Sequence, residues 1–159
     1  MDALKDKKGF ICDMDGVIYH GDKLLPDVKE FVEWLYKENK SFLFLTNSSE
    51  RSPRELRQKL ERMGLYVDES HFYTSALATA KFISGQKPGC SAYVIGAPGL
   101  VNALYDQGIT MNSIDPDYVI VGETSSYNYE MVVHASNLVR NGAKLIGTNT
   151  DLTGPVEDG

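Results

Sequence analysis

Two short stretches of the chain carry residue types that can do chemistry. In DMDGVIYHG, residues 13–21, two carboxylates stand two residues apart directly after the apolar run 9–12. In extended backbone that spacing turns both side chains toward one side. There they repel each other unless a cation neutralises them or they share a proton. Hard oxygen donors of this kind suit Mg²⁺, which makes Asp13 and Asp15 candidate metal ligands. Gly16 follows at once and lets the backbone turn tightly, so that neighbouring N–H groups can face an anion. The second stretch is TNSS, residues 46–49, which closes the apolar run SFLFL. The Thr46 hydroxyl and the Asn47 amide are phosphate-contacting groups. Taken alone, each fragment has a plainer reading, an Asx turn for the first and a loop with a helix cap for the second. Their occurrence at the ends of consecutive strands favours phosphoryl chemistry.

The elements that must hold these residues are legible from apolar patterning. Residues 9–13 read as a short buried strand, and residues 41–45 as a second. Between them Val28, Phe31, Val32 and Leu35 form one helical face, with Asp27 and Glu30 spaced as a capping box. Ser52, Pro53 and Glu55 signal the start of another helix, whose face carries Leu56, Leu60 and Met63 and which Gly64 ends. A third strand is expected over 71–74 and a helix over 76–83. Further on come a strand at 92–95, a helix at 98–107, a strand at 118–121, a helix at 128–140 and a strand at 144–146. Strands alternating with helices imply βαβ units and a mainly parallel sheet. The stretch GQKPG, 85–89, has the composition of a linker, so the division is expected there: a first domain over residues 1–87 and a second over 88–159.

The chain has 159 residues, with a hydrophobic fraction of 42%, 24% charged residues and a net charge of −6. That length holds one ordinary core, or one small domain plus part of another. The acidic balance argues against a nucleic-acid partner, because phosphate backbones are held by clustered Lys and Arg. No stretch approaches the roughly 18 apolar residues of a membrane span, and the two cysteines show no metal-ligand spacing. A reduced, cytoplasmic protein is the resulting expectation. His20, His71 and His134 have no spacing for a metal site. Residues 127–129 read as packing, and Glu123, at the end of a strand, is a candidate substrate contact.

DMDGVIYHG followed after one helix by FLFLTNSS strongly resembles the haloacid dehalogenase-like phosphohydrolases, in the NagD-like and p-nitrophenylphosphatase branch. FYTSALATAKFI, AYVIGAPGL, DYVIVGETSSYNYEM and GTNTD extend the resemblance over residues 10–151. It implies a partial parallel, Rossmann-like core sheet followed by an α/β cap of the C2 type. It also implies that Asp13 is a nucleophile forming an aspartyl-phosphate and that Asp15 is the general acid and base. Mg²⁺ would be held by the Asp13 carboxylate and the Asp15 carbonyl. Gly16, Thr46, Asn47 and Ser48 would serve phosphoryl binding, and the loop carrying Thr148, Asn149 and Asp151 would touch the leaving group. The expected activity is Mg²⁺-dependent hydrolysis of small phosphomonoesters such as nucleotides, sugar phosphates or p-nitrophenyl phosphate.

The sequence also departs from the family's pattern. The lysine that neutralises the phosphoryl group and the later acidic motif follow the cap in that family, and no residue here stands at a convincing replacement position. One alternative is therefore a catalytically incomplete fragment, whose half-sheet leaves apolar surface and an edge that self-association into a homo-oligomer would cover. A receiver-like phospho-aspartate module is a weaker alternative, because it expects its phosphorylated Asp at a later strand and does not explain a second α/β unit.

Overall fold

The computed structural model describes residues 2–151 and 153. It divides into two compact units, one built from residues 2–46 and Pro53–Tyr73, the other from Asn47–Ser52 and residues 74–151.

The first unit follows the expected βα pattern closely. A short helix α1 (Asp2–Lys5) leads into β1 (Gly9–Asp13), and a small antiparallel hairpin, β2 (Tyr19–His20) and β3 (Lys23–Leu24), precedes α2 (Val28–Lys37). Next come β4 (Ser41–Thr46), α3 (Pro53–Arg62), a 3₁₀ turn at Glu69–His71 and β5 (Phe72–Thr74). The strands form one sheet in the order β1-β4-β5, and β1 runs parallel to β4 with Phe10 opposite Phe42 and Asp13 opposite Leu45. Burial alternates along β4, where Phe42, Phe44 and Thr46 are buried. Val32, Leu35, Leu56 and Leu60 pack on that face, and Phe10 meets Trp34 edge to face at 5.5 Å. On the other face of β1, Ile11 is 72% exposed.

The capping box expected at Asp27 does not form. Asp27 sits in the left-handed region, φ 64°, and its side chain makes no cap bond. Aspartate is one of the few residues that tolerates this backbone, and here it redirects the chain into α2 while its carbonyl accepts from the Phe31 N–H at 3.0 Å.

The second unit contains α4 (Ser75–Gln86), β6 (Ser91–Ile95), α5 (Pro98–Asp106), β7 (Thr110–Met111), β8 (Tyr118–Val121), α6 (Tyr129–Arg140) and β9 (Lys144–Gly147). Its strands are parallel, in the order β7-β6-β8-β9. One face of this sheet packs on Ala76, Ala80, Ile83, Leu100 and Leu104 of α4 and α5. The opposite face packs Ile95 and Val119 on Ala135 and Leu138 of α6. Helices on both faces explain why Tyr118, Val119 and Ile120 are buried consecutively instead of alternately. Because α4 contributes Ala76, Ala80 and Ile83 to this core, the contacts divide the chain before α4, whereas turn chemistry suggests 85–89. Glycine and proline mark the helix end there, with the Lys87 N–H on the Ile83 carbonyl. Tyr127 and Tyr129 are 65% and 82% exposed, so they do not pack as expected; Asn128 between them caps α6 by accepting from the Met131 N–H at 2.9 Å. No helix among the described residues is long and apolar enough to cross a membrane.

Asp117 pins the start of this sheet. Its carboxylate accepts from the Lys87 ammonium and, at 2.9 Å, from the Ser91 N–H. The Lys87 ammonium foremost, and then the Ser91 amide, hold the Asp117 carboxyl below the usual carboxylate range. A depressed folded pKa means stability that is present above the unfolded value near ~3.9 and lost as pH falls through the folded one. We expect Asp117→Ala to lower the melting temperature at pH 7, with a gap from the parent that narrows toward pH 3. An equal gap at both pH values would discard the ion pair as its cause.

Candidate active site

Asp13 is the last residue of β1 and Thr46 the last of β4, so in the parallel register both leave the sheet at its carboxyl edge, where ligands bind in α/β folds. Met14 is fully buried, while Asp13 and Asp15 on either side of it are exposed. Exposure thus alternates across Asp13, Met14 and Asp15. The Met14 carbonyl accepts from the N–H groups of Val17, Ile18 and Tyr19 at 3.2, 2.8 and 3.3 Å, so the buried methionine anchors the whole turn. Gly16 takes φ 76°, a backbone that glycine adopts at little cost. Its N–H donates to the Tyr19 carbonyl at 2.8 Å. The Gly16 and Val17 amides therefore close the turn on itself, in contrast to the expectation that amides here face an anion.

The Asp13 Oδ1 accepts from the Met14 N–H at 2.8 Å, which fixes the carboxylate's rotation. The Thr46 hydroxyl, 6% exposed, donates to the Asp15 Oδ2 at a long 3.4 Å. Lys59 buries its stem in this unit and places its ammonium 4.0 Å from the centre of the Tyr19 ring, with Asp22 at 3.9 Å. That cation braces the residue whose carbonyl closes the Gly16 turn. Burial pushes the neighbouring Cys12 thiol up, which disfavours a thiolate nucleophile beside Asp13.

The donor set fits Mg²⁺. Mg²⁺ takes oxygen donors, is commonly bound through one or two carboxylates and keeps several waters. Asp13 and Asp15 offer oxygen donors only.

The other candidates belong to the second unit. Asn47 donates through Nδ2 to Asp151 Oδ2 at 2.6 Å, and Ser48 donates to Glu123 Oε2 at 2.6 Å. Thr148 donates its hydroxyl to Ser49 Oγ at 3.1 Å, and Asn149 Oδ1 accepts from the Asp151 N–H at 2.9 Å. Five sequence candidates, Asn47, Ser48, Thr148, Asn149 and Asp151, are thus brought together at the carboxyl ends of β8 and β9. Ser49, Glu50, Gly99 and Gly122 are missed by reading the sequence for reactive groups. For Gly122 the signal is a glycine directly after an apolar run, in VIVGET; Gly99 stands a few residues past such a run, in VIGAPG.

Comparison with known proteins identifies the family of this fold. The family model of the haloacid dehalogenase-like hydrolases matches residues 10–110. Curated relatives include the acid sugar phosphatase of Staphylococcus saprophyticus, 39% identical over 98% of this chain and 61% of its own length. The ribonucleotide monophosphatase NagD of Escherichia coli K12 is 41% identical over 92% and 58%. Among solved structures, NagD of E. coli aligns with a TM-score of 0.88 at 40% identity, covering 94% of this chain and 59% of that one. The 4-nitrophenylphosphatase of Thermotoga maritima aligns with a TM-score of 0.92 at 33% identity, covering 98% and 60%. A unit with a parallel β1–β4 pair, followed by a second parallel α/β unit, is the arrangement this chain shares with those solved structures. The chain belongs to the haloacid dehalogenase-like hydrolases, and it spans about three fifths of the length of the relatives it matches.

Proposed function

We propose that this sequence carries the nucleophile turn and the cap of a Mg²⁺-dependent phosphatase acting on small phosphomonoesters, among them sugar phosphates, nucleoside monophosphates and p-nitrophenyl phosphate. The observation that carries the reading is the pair of exposed carboxylates flanking the buried Met14 at a parallel strand's carboxyl end, with the Thr46 hydroxyl on Asp15.

Asp13 attacks phosphorus in line, forming an O–P bond as the bond to the leaving oxygen breaks. The Met14 N–H on Oδ1 holds the carboxylate's rotation for that attack. Asp15 protonates the leaving oxygen and then accepts a proton from the water that hydrolyses the aspartyl-phosphate. Thr46 orients Asp15 and contacts phosphoryl oxygens, with Asn47 and Ser48 following it in the chain. The Asp13 carboxylate and the Asp15 main-chain carbonyl would hold Mg²⁺, which when bound would neutralise charge on the transferring group. Thr148, Asn149 and Asp151 are assigned to the leaving group on the family resemblance, and the second unit to a C2-type cap. The free thiols Cys12 and Cys90 support a reducing, cytoplasmic setting.

The test is release of p-nitrophenolate by the 159-residue chain of verified mass, with Mg²⁺ and with the metal chelated. Turnover confined to the metal-containing sample is expected. No turnover in either would remove the activity from these residues acting by themselves.

A further inference from the structure

The segment Asn47–Ser52 follows Thr46 directly, yet it is packed as part of the second unit. Glu123, at the end of β8, grips two successive residues of it. Its carboxylate accepts from the Ser48 hydroxyl at 2.6 Å, and its own N–H donates to the Ser49 Oγ at 3.0 Å. Ser49 is 1% exposed and also takes the Thr148 hydroxyl. One residue further, the Glu50 carbonyl accepts from the Gly99 N–H at 3.2 Å. The seat is shaped by absent side chains. A Cβ on Gly99 would stand 2.4 Å from the Glu50 carbonyl oxygen, and one on Gly122 would stand 2.8 Å from the Ser49 Oγ.

A serine hydroxyl has a single hydrogen to donate, and in Ser48 it goes to a carboxylate. One amide hydrogen of Asn47 goes to the carboxylate of Asp151 in the same way. The Ser48 hydrogen and one of the two Asn47 amide hydrogens are therefore engaged in holding the loop, which leaves phosphoryl contact by this loop to its main chain and to the second Asn47 hydrogen.

We propose that Glu123 is a positioning residue for the phosphoryl-binding loop: it fixes Asn47 and Ser48 through the Ser48 hydroxyl and does not contact substrate. The functional half of this proposal rests on the reading of that loop as a phosphate site. The sign of the effect separates positioning from bare charge. A carboxylate near a phosphate site repels the ligand, so a Glu123 that acted only through its charge would, when removed, tighten phosphate binding. A Glu123 that positions the loop would, when truncated, loosen it. Glutamine keeps an acceptor oxygen for Ser48 and loses the charge.

The experiment compares ¹⁵N-labelled parent chain with Glu123→Ala, Glu123→Gln and Ser48→Ala, reading exchange of the Gly99 amide without ligand and then titrating inorganic phosphate in the presence of Mg²⁺. A hydrogen bond to a charged group predicts about tenfold faster Gly99 exchange in Glu123→Ala and Ser48→Ala, with Glu123→Gln close to the parent. The phosphate Kd is expected to rise several-fold in Glu123→Ala and to stay at or below the parent's in Glu123→Gln. Gly99 exchange unchanged in Glu123→Ala overturns the positioning role, as does phosphate bound equally or more tightly by that variant. Altered exchange in the variants with no phosphate-dependent shift at Asn47 or Ser48 in the parent overturns the functional half and the reading of the loop as a phosphate site, while the grip itself stands.

Discussion

Asp13→Asn is expected to abolish the metal-dependent phosphomonoester hydrolysis proposed above and to leave the fold nearly untouched. The amide is isosteric and its oxygen can still accept from the Met14 N–H, as the parent carboxylate does at 2.8 Å. What it loses is the anionic oxygen that forms the bond to phosphorus. Removing a covalent nucleophile of this kind costs on the order of 10⁴-fold or more in kcat. An exposed isosteric change away from the core moves stability by only about 0.5 kcal/mol. Paired measurements decide it: steady-state hydrolysis of p-nitrophenyl phosphate, and thermal melts of both proteins. Turnover within tenfold of the parent would sink the nucleophile assignment. A large fall in melting temperature would show that Asp13 is there for the turn.

Phe44→Ala is the substitution expected to cost the most stability. Phe44 is 0% exposed on the middle strand of the first sheet, with ring centroids 5.5 Å from Phe42 and 5.9 Å from Phe72. It is also two residues from Thr46 on the same face of β4, so its ring underlies the strand end that presents the Thr46 hydroxyl. Truncating a buried phenylalanine costs about 3–5 kcal/mol, a large fraction of the ~5–15 kcal/mol that stabilises an ordinary domain. Urea unfolding followed by fluorescence of Trp34, which packs in the same core, measures it. A loss under about 1 kcal/mol would mean that the first unit collapses around the gap and that its core is not close-packed there.

Much of this architecture is legible in the chain because local signals agree. The apolar runs ending at Asp13 and Thr46 became parallel strands with their carboxyl ends at one edge, and Pro53 and Gly64 bracket α3 as their backbone preferences require. The exposed–buried–exposed pattern over Asp13, Met14 and Asp15 accords with the two-residue spacing of the carboxylates. The misreadings come from places where tertiary contact overrules local chemistry. GQKPG has the composition of a linker, while the contacts group Ile83 and Ala80 just before it with the second core, a grouping that composition alone does not reveal. Asp27 has the right spacing for a capping box, but the backbone turns left-handed there. Tyr127 and Tyr129 are aromatic and still exposed. The grip of Glu123 on Ser48 links residues far apart in sequence, and no periodicity announces such a pair.

The glycines at 99 and 122 have a consequence for recombination among related proteins. They form a mould whose casting, Ser49 and Glu50, is encoded far upstream, before α3 and β5. A domain swap cut at the start of α4 would carry the mould and leave the casting behind, pairing each glycine-lined hollow with a foreign loop. Modular exchange of this second unit therefore requires two excisions, one for the bulk of the unit and one for the short stretch Asn47–Ser52.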